Sequence, residues 1–339
     1  MVTILGGGVA GVALAWALAR RGRRDVTVFD PRPPASGSTA KAFGGFRTQH
    51  GSPLNIALSL AARPFFEARA DRVGFRPVGY LYLAETAAAA AELERRAELQ
   101  RGEGLPIEHP AVGEIFPELE ADDVLATNYC GLDGVYQPLR ILDCLVEEAR
   151  TAGAELRYQC AAGASDLEAG VVVVCAGIWS REVGESVGVR LEVSPLERGI
   201  FQVGPFDWLR PEVPVTLDVG SGYHLRERAG RLLVIGPGDP HRWDHHREWL
   251  AHRLPRAAVE KPEGHWTGYY EATFDHHPLV GQTERPGVWA MCGFSGHGVM
   301  HSPATADCLA AMILGDTPPV DLSPLSPLRS EALVDPTQL

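Results

Sequence analysis

Residues 4–11 read Ile-Leu-Gly-Gly-Gly-Val-Ala-Gly, and this stretch constrains the fold more than any other. Gly6, Gly8 and Gly11 carry the spacing G-x-G-x-x-G between a short apolar run, 2–5, and a helical stretch, 12–21, that Gly22 closes. A second apolar run, 26–29, ends at Asp30-Pro31. This is one β-α-β unit. Gly6 permits the tight turn, Gly8 lets the backbone approach a diphosphate, and Gly11 lets the helix pack on the strand. Val9 and Ala10 lie in the same turn, and the helix N-terminus adds partial positive charge for an anion. Asp30 stands about 20 residues on, where a carboxylate accepts from a ribose 2′-hydroxyl. A carboxylate there disfavours a 2′-phosphate, so NAD and FAD remain. The chain carries one such fingerprint, so electrons are expected from a substrate docked directly on the cofactor.

The chain has 339 residues, enough for two intertwined domains. Its 43 acidic and 31 basic residues leave a net charge of −12, which argues against nucleic acid or an anionic membrane as main partner. An anionic substrate stays open, because a few cleft arginines override the average. None of the six cysteines forms a Cys-x-x-Cys pair, so reduced thiols are expected. The apolar stretch 12–19 follows the glycines directly and is too short for a membrane span. With no leader ahead of the first strand, the expected location is cytoplasmic. Asp239, His241, Asp244, His245 and His246 match no strong ligand spacing, so no metal is expected and these histidines are read as solvated in a polar turn.

Further on, 33–53 reads as loop, 55–72 as helix, 78–84 as strand, and 87–101 and 140–152 as helices. The run 170–180 is wholly apolar and suits a strand buried on both faces of a parallel sheet. Residues 196–261 read as strands with turns, 287–294 as strand, and 302–314 as the last helix. The Pro-rich tail from 316 reads as an ordered arm with frayed end residues. The expected fold class is α/β in two domains: a Rossmann-like FAD-binding domain with a mostly parallel sheet, and a sheet-rich substrate domain inserted in it. The expected boundaries are 1–77, 140–195 and 262–339 for the first, 78–139 and 196–261 for the second.

The segments "STAKAFGGFRTQ", "VGYLYLA", "VCAGIWS", "ERGIFQV", "DHHPLVG" and "GFSGHGVMHSPATADCLAAMI", in that order, resemble the D-amino-acid-oxidase superfamily of FAD enzymes. The branch is that of glycine and sarcosine oxidases and the β-subunit type of L-proline dehydrogenase. The resemblance implies oxidation of an amine beside a carboxylate, with hydride leaving the α-carbon for flavin N5. It places Gly293, Gly296, His297, Gly298, Val299 and Met300 in a second loop whose helix N-terminus stabilises reduced flavin. Gly44 and Gly45 pass close to the flavin ring, Ser38 and Thr39 bond the diphosphate, and Ala176, Gly177 and Trp179 run along the cofactor. Arg47 takes the position that grips the substrate carboxylate.

Tyr270 is expected as the aromatic wall of the substrate pocket. Gly268 stands where relatives with covalent flavin carry a cysteine, so FAD is expected to be non-covalent. Met300 replaces a lysine that completes the carboxylate clamp in monomeric sarcosine oxidases. His224 aligns with a lysine that helps dioxygen react. Met300 suggests a more apolar pocket, such as one for proline, and His224 leaves the acceptor open between dioxygen and another redox carrier. His276 and His277 are read as orienting the loop under the flavin. Sarcosine, proline and glycine are the substrates considered. A catalytic subunit of a hetero-oligomeric amine dehydrogenase and a non-catalytic FAD-binding assembly factor stay open, as does homo- or hetero-oligomeric state.

Overall fold

The structure, a computed structural model, describes residues 1–168 and 170–335. The frayed end expected of the tail lies outside the described residues.

β1 (Val2–Leu5) is four buried residues, three of them apolar, and such a run is stable only with both faces covered. It is central in a six-stranded sheet, pairing in parallel with β2 (Val26–Asp30) on one side and with Val171–Val174 on the other. Glu155–Tyr158 extends the sheet beyond β2, and Val288–Cys292 extends it beyond Val171–Val174. Leu279–Gln282 adds an antiparallel edge. α1 (Val9–Arg20) lies across this sheet against the last helix, Gly298–Leu314, and against Pro138–Thr151. A Cβ on Gly11 would stand 2.0 Å from the Gly6 carbonyl oxygen, so close packing there requires glycine.

The second sheet has seven strands in the order 264–272, 194–203, 231–235, 224–228, 215–218, 80–84 and 126–130. Its first strand, Gly264–Ala272, hydrogen-bonds along its whole length to Ser194–Val203. A domain division at residue 262 therefore falls just ahead of a strand that pairs in the second sheet.

Several elements differ from the sequence reading for physical reasons. Helix Trp243–Arg253 occupies a stretch read as strands and turns, and Trp243, His246, Trp249, Leu250 and Arg253 fall on one buried face. His246 is therefore not a solvated turn residue. It is buried, its ring 4.5 Å from that of Phe201, and its Nδ1 meets the Arg242 carbonyl. The apolar run 170–180 keeps strand geometry only over Val171–Val174, because Gly177 turns the chain at φ +59° into a short helix, Ser180–Ser186. The helix expected over 55–72 is split into Pro53–Glu67 and Ala70–Val73. The last helix begins at Gly298, four residues before 302.

No helix among the described residues is long and apolar enough to cross a membrane. All six cysteines are free thiols.

Candidate active site

A chain of three cavities runs between the two sheets. The first, about 80 Å³, is lined by Gly6–Ala10, Asp30, Ser38, Thr39, Ala176, Gly177, Trp179 and Glu271. The second, about 100 Å³, shares Val9, Ser38, Thr39 and Glu271 with it and adds Phe43, Arg198, Gly268, Tyr270, Gly296, Gly298 and Val299. The third, about 80 Å³, shares Phe43, Tyr270 and Gly296 with the second and adds Gly44, Gly45, Arg47, His224, His297 and Met300. The glycine loops at the two ends of the chain thus open onto one cleft. Gly293 stands behind it: at φ +77°, its Cβ position lies 2.4 Å from the Thr273 methyl. A wider cavity of about 440 Å³, lined also by Pro31, adjoins the first across Asp30, Arg32 and Trp179.

The first cavity is an anion cradle in geometry. Gly8 caps α1 in extended backbone, and only the Thr39 hydroxyl, at 3.5 Å, stands near its Cβ position. The Val9 amide donates to Thr39 Oγ1 at 3.2 Å. Asp30 is more engaged than its position in the sequence suggests. Oδ2 accepts from the Gly7 amide at 2.9 Å and Oδ1 from the Arg32 amide at 2.9 Å, so the carboxylate also holds the glycine turn in place. Oδ1 also accepts from Arg32 Nε at 3.3 Å, and Oδ2 keeps a further lone pair for a ligand hydroxyl. Ser38 donates to the Tyr269 carbonyl at 2.8 Å. Trp179 is partly exposed, with the Arg32 guanidinium 3.4 Å above its ring.

At the other end, Arg47 is buried in the wall of the third cavity. Nη1 donates to the Tyr82 hydroxyl at 3.0 Å and Nη2 to His297 Nε2 at 2.8 Å. Arginine has no acceptor, so His297 Nε2 presents a lone pair and its proton sits on Nδ1. Behind them His50, His297 and His301 cluster with ring centroids 5.3 to 5.6 Å apart, and Ser59 bridges His50 and His301. His276 adopts φ +58°, while His277 is buried against Asn55.

Burial, and then the charge of Arg47, hold all three clustered histidines well below the usual range, His301 at about 3. Burial also holds His224 and His246 at about 4. His224, with its ring 5.0 Å from Phe43, is therefore a neutral wall of the pocket. A histidine with a lowered folded pKa contributes stability that is present above about 6.5 and lost as pH falls. Three carboxyls pull the other way. Glu271 and Asp133 are pushed up to about 7 and about 6, foremost by burial, and Glu85 to about 7, foremost by its hydrogen bond with Asp218. Five histidines outweigh three carboxyls, so near pH 5 the unfolded chain binds more protons than the folded one and stability falls as pH falls. The urea midpoint of the flavin-free protein is therefore expected to fall between pH 6.5 and pH 5. A midpoint that is flat there would contradict the neutral histidine cluster.

The family model described as "FAD dependent oxidoreductase", DAO, matches residues 1–312. The chain belongs to the DAO family of FAD-dependent oxidoreductases.

This DAO-family chain is 28% identical over 381 residues to mitochondrial dimethylglycine dehydrogenase of Rattus norvegicus, covering 96% of the chain but 44% of that protein. The chain thus spans less than half the length of that relative. It is 27% identical over 373 residues to glycine oxidase of Geobacillus kaustophilus (strain HTA426), covering 97% of the chain and 96% of the relative. In three dimensions it resembles L-proline dehydrogenase from P. horikoshii, with a TM-score of 0.88 at 23% identity over 97% of this chain and 96% of that one. That likeness is one of fold. Glycine oxidase from Geobacillus kaustophilus gives a TM-score of 0.84 at 25% identity over 98% and 99%.

The cleft of this DAO-family chain fits the cofactor its family implies. Bare glycine backbone lines both ends, and a Cβ at Gly296 would stand 2.9 Å from the Tyr270 ring. The sequence reading overlooked four polar residues of the site. Tyr80 and Tyr82 sit in an apolar strand and look like core. Arg226 is buried with Nη1 donating to the carbonyls of Phe43, Gly44 and Tyr136, a role no local motif signals. Glu271 follows Tyr270 in sequence, and a lone acid in a strand carries no motif. Outside the cleft, Glu85, Asp123 and His252 are grouped closely enough to suggest a cation, but Arg253 bonds both carboxylates.

Proposed function

We propose that this chain oxidises the CH–NH bond of a small amino acid, a secondary amine of the N-methylglycine or proline class. The observation that carries the reading is a buried guanidinium, Arg47, in a cavity continuous with a glycine-walled cleft. In this reading Gly6, Gly8, Val9, Ala10, Gly11, Ser38 and Thr39 hold the FAD diphosphate. Asp30 takes the ribose, and the 440 Å³ cavity beside Pro31 and Trp179 takes the adenine ring. Gly44, Gly45, Gly268, Gly296 and Gly298 bring backbone to the flavin, with Ala176 and Gly177 along its linker. Gly268 presents no side chain for a covalent bond, and Lys41 Cβ stands 3.1 Å from where its Cβ would be. Bound FAD supplies the hydride acceptor.

The protein's own part is positioning and electrostatics. Arg47 orients the substrate carboxylate. Tyr270, His224 and Met300 form walls that carry no charge, so the amine is held in its neutral form. His297 accepts from Arg47 and fixes the guanidinium plane. The six-stranded sheet with its helices forms the cofactor domain, and the seven-stranded sheet forms the substrate domain.

Anaerobic titration of the yellow protein with sarcosine, proline, N-methyl amino acids and glycine tests this. Bleaching of the flavin band is expected with the secondary amines, and bleaching by none of the panel would leave a flavin-binding protein without this turnover. His224, a neutral ring against Phe43, stands where the resemblance places the lysine that helps dioxygen react. The reduced protein is therefore expected to reoxidise faster with an artificial dye than with dioxygen, as stopped-flow mixing would show.

A further inference from the structure

We infer that Glu271 contacts the cofactor as a protonated carboxyl, so that FAD binding takes up one proton and weakens in alkaline solution. The inference rests on the reading that the first two cavities take FAD.

Glu271 is the acidic residue common to both cavities. It sits at the waist of the cleft, between the two glycine loops. A Cβ on Gly177 would lie 3.8 Å from its Oε2, and one on Gly298 would lie 3.7 Å from its Oε1. The backbone amides of Gly293 and Phe294 lie towards the carboxyl and act against its protonation, but burial outweighs them. Oε2 is shut off from solvent and has no hydrogen-bond partner. A buried, unpartnered carboxylate oxygen is costly, and it is relieved either by a cation or by a proton on the group itself.

Among the described residues no cation is paired with the Glu271 carboxyl. Cys175 and Cys292 end the neighbouring strands of the first sheet, and both thiols are pushed up by burial and then by each other or by Glu271. His297 heads the last helix. Lys41 backs Gly268, and Arg198 lies over the Tyr270 ring from the paired strand. Asp30 and Arg32 line the first cavity with Glu271. Among the described residues none of these forms a hydrogen bond or an ion pair with the Glu271 carboxyl. Burial alone pushes it up to about 7. A diphosphate-bearing ligand laid over it adds negative charge and removes water, and both move a carboxyl the same way.

The sign follows from linkage. The carboxyl is easier to protonate with ligand bound than without, so binding takes up a proton once pH exceeds about 7. Above that pH, Kd rises up to about tenfold per pH unit until the bound carboxyl itself ionises. In the protonated form the Oε2 hydroxyl donates to the cofactor.

The experiment is a titration of flavin-depleted protein with FAD at pH 7 and pH 9, followed by flavin fluorescence, on the unaltered chain and on Glu271→Gln. Kd is expected to rise at least about tenfold in the unaltered protein. It is expected to change less than about twofold in the variant, whose neutral amide mimics the protonated acid. Calorimetry at pH 8 in two buffers of different ionisation enthalpy should show uptake of close to one proton by the unaltered protein, a readout that does not depend on the variant folding. A Kd that is flat from pH 7 to pH 9, a slope kept by Glu271→Gln, or no proton uptake overturns the inference. Tight, pH-independent FAD binding sinks this inference alone, whereas a protein that binds no FAD at either pH sinks the proposed function with it.

Discussion

Arg47→Ala is expected to raise KM for an amino-acid substrate about a hundredfold, while kcat falls much less. A charge-assisted guanidinium–carboxylate contact in a buried pocket stabilises by about 2–3 kcal/mol, and each 1.4 kcal/mol is a factor of ten. The split between the constants follows because the carboxylate is gripped equally in the bound substrate and in the transition state. Arg47 also bonds Tyr82 and His297, so its removal leaves two buried acceptors unsatisfied and costs stability by a separate route. A substrate analogue distinguishes the two. An amine lacking the carboxylate should be a poor substrate of the unaltered enzyme, and Arg47→Ala should make it little worse. Steady-state kinetics with a matched pair of amines gives the coupling directly. If both amines lose equally, Arg47 is a structural residue and the substrate's acid group is held elsewhere.

What could be read in the sequence tracks how local each signal is. The turn from Gly6 to Gly11 has its signal within six residues, so its place after β1 follows from spacing, although Asp30 and Cys175 close on it from farther along the chain. Arg47 and the loop 293–300 lie far apart in sequence, and a family pattern rather than periodicity brought them forward. The Arg47–His297 hydrogen bond joins those two segments and needs three dimensions. The helix Trp243–Arg253 escaped because His, Arg and Asp at its exposed positions look like turn composition. Its apolar face of Trp243, Trp249 and Leu250 acquires meaning only against Phe201 and Leu225 of the sheet beneath. Arg226 was beyond reach for another reason. It acts on backbone carbonyls of residues 43, 44 and 136, and a carbonyl has no sequence identity. The strand Gly264–Ala272 lies near the boundary drawn at 262, because a strand that closes a cleft between two sheets bears marks of both.

The second large effect separates what the glycines do for the fold from what they do for the cofactor. Gly6→Ala is expected to destabilise the protein by about 3–5 kcal/mol and to leave it nearly free of flavin. Gly6 sits at φ +118°, where an L side chain is strained, and its Cβ would stand 2.3 Å from the Cys175 carbonyl oxygen. Strain costs about 1–3 kcal/mol and overpacking a similar amount, and the carbonyl belongs to the strand next to β1, so relief means moving the sheet. Gly8→Ala should behave differently. Gly8 has φ −76°, which any residue adopts, and its Cβ position meets nothing closer than the Thr39 hydroxyl at 3.5 Å. Its methyl would point into the cavity proposed for the diphosphate, so the flavin-free protein should melt within a degree or two of the unaltered one while Kd for FAD rises about tenfold or more. Thermal melting of both flavin-depleted variants, with the ratio of flavin to protein absorbance after reconstitution, reads the two effects apart. Were Gly8→Ala to keep full flavin content and unchanged affinity, the cavity at the head of α1 could not be where the diphosphate lies.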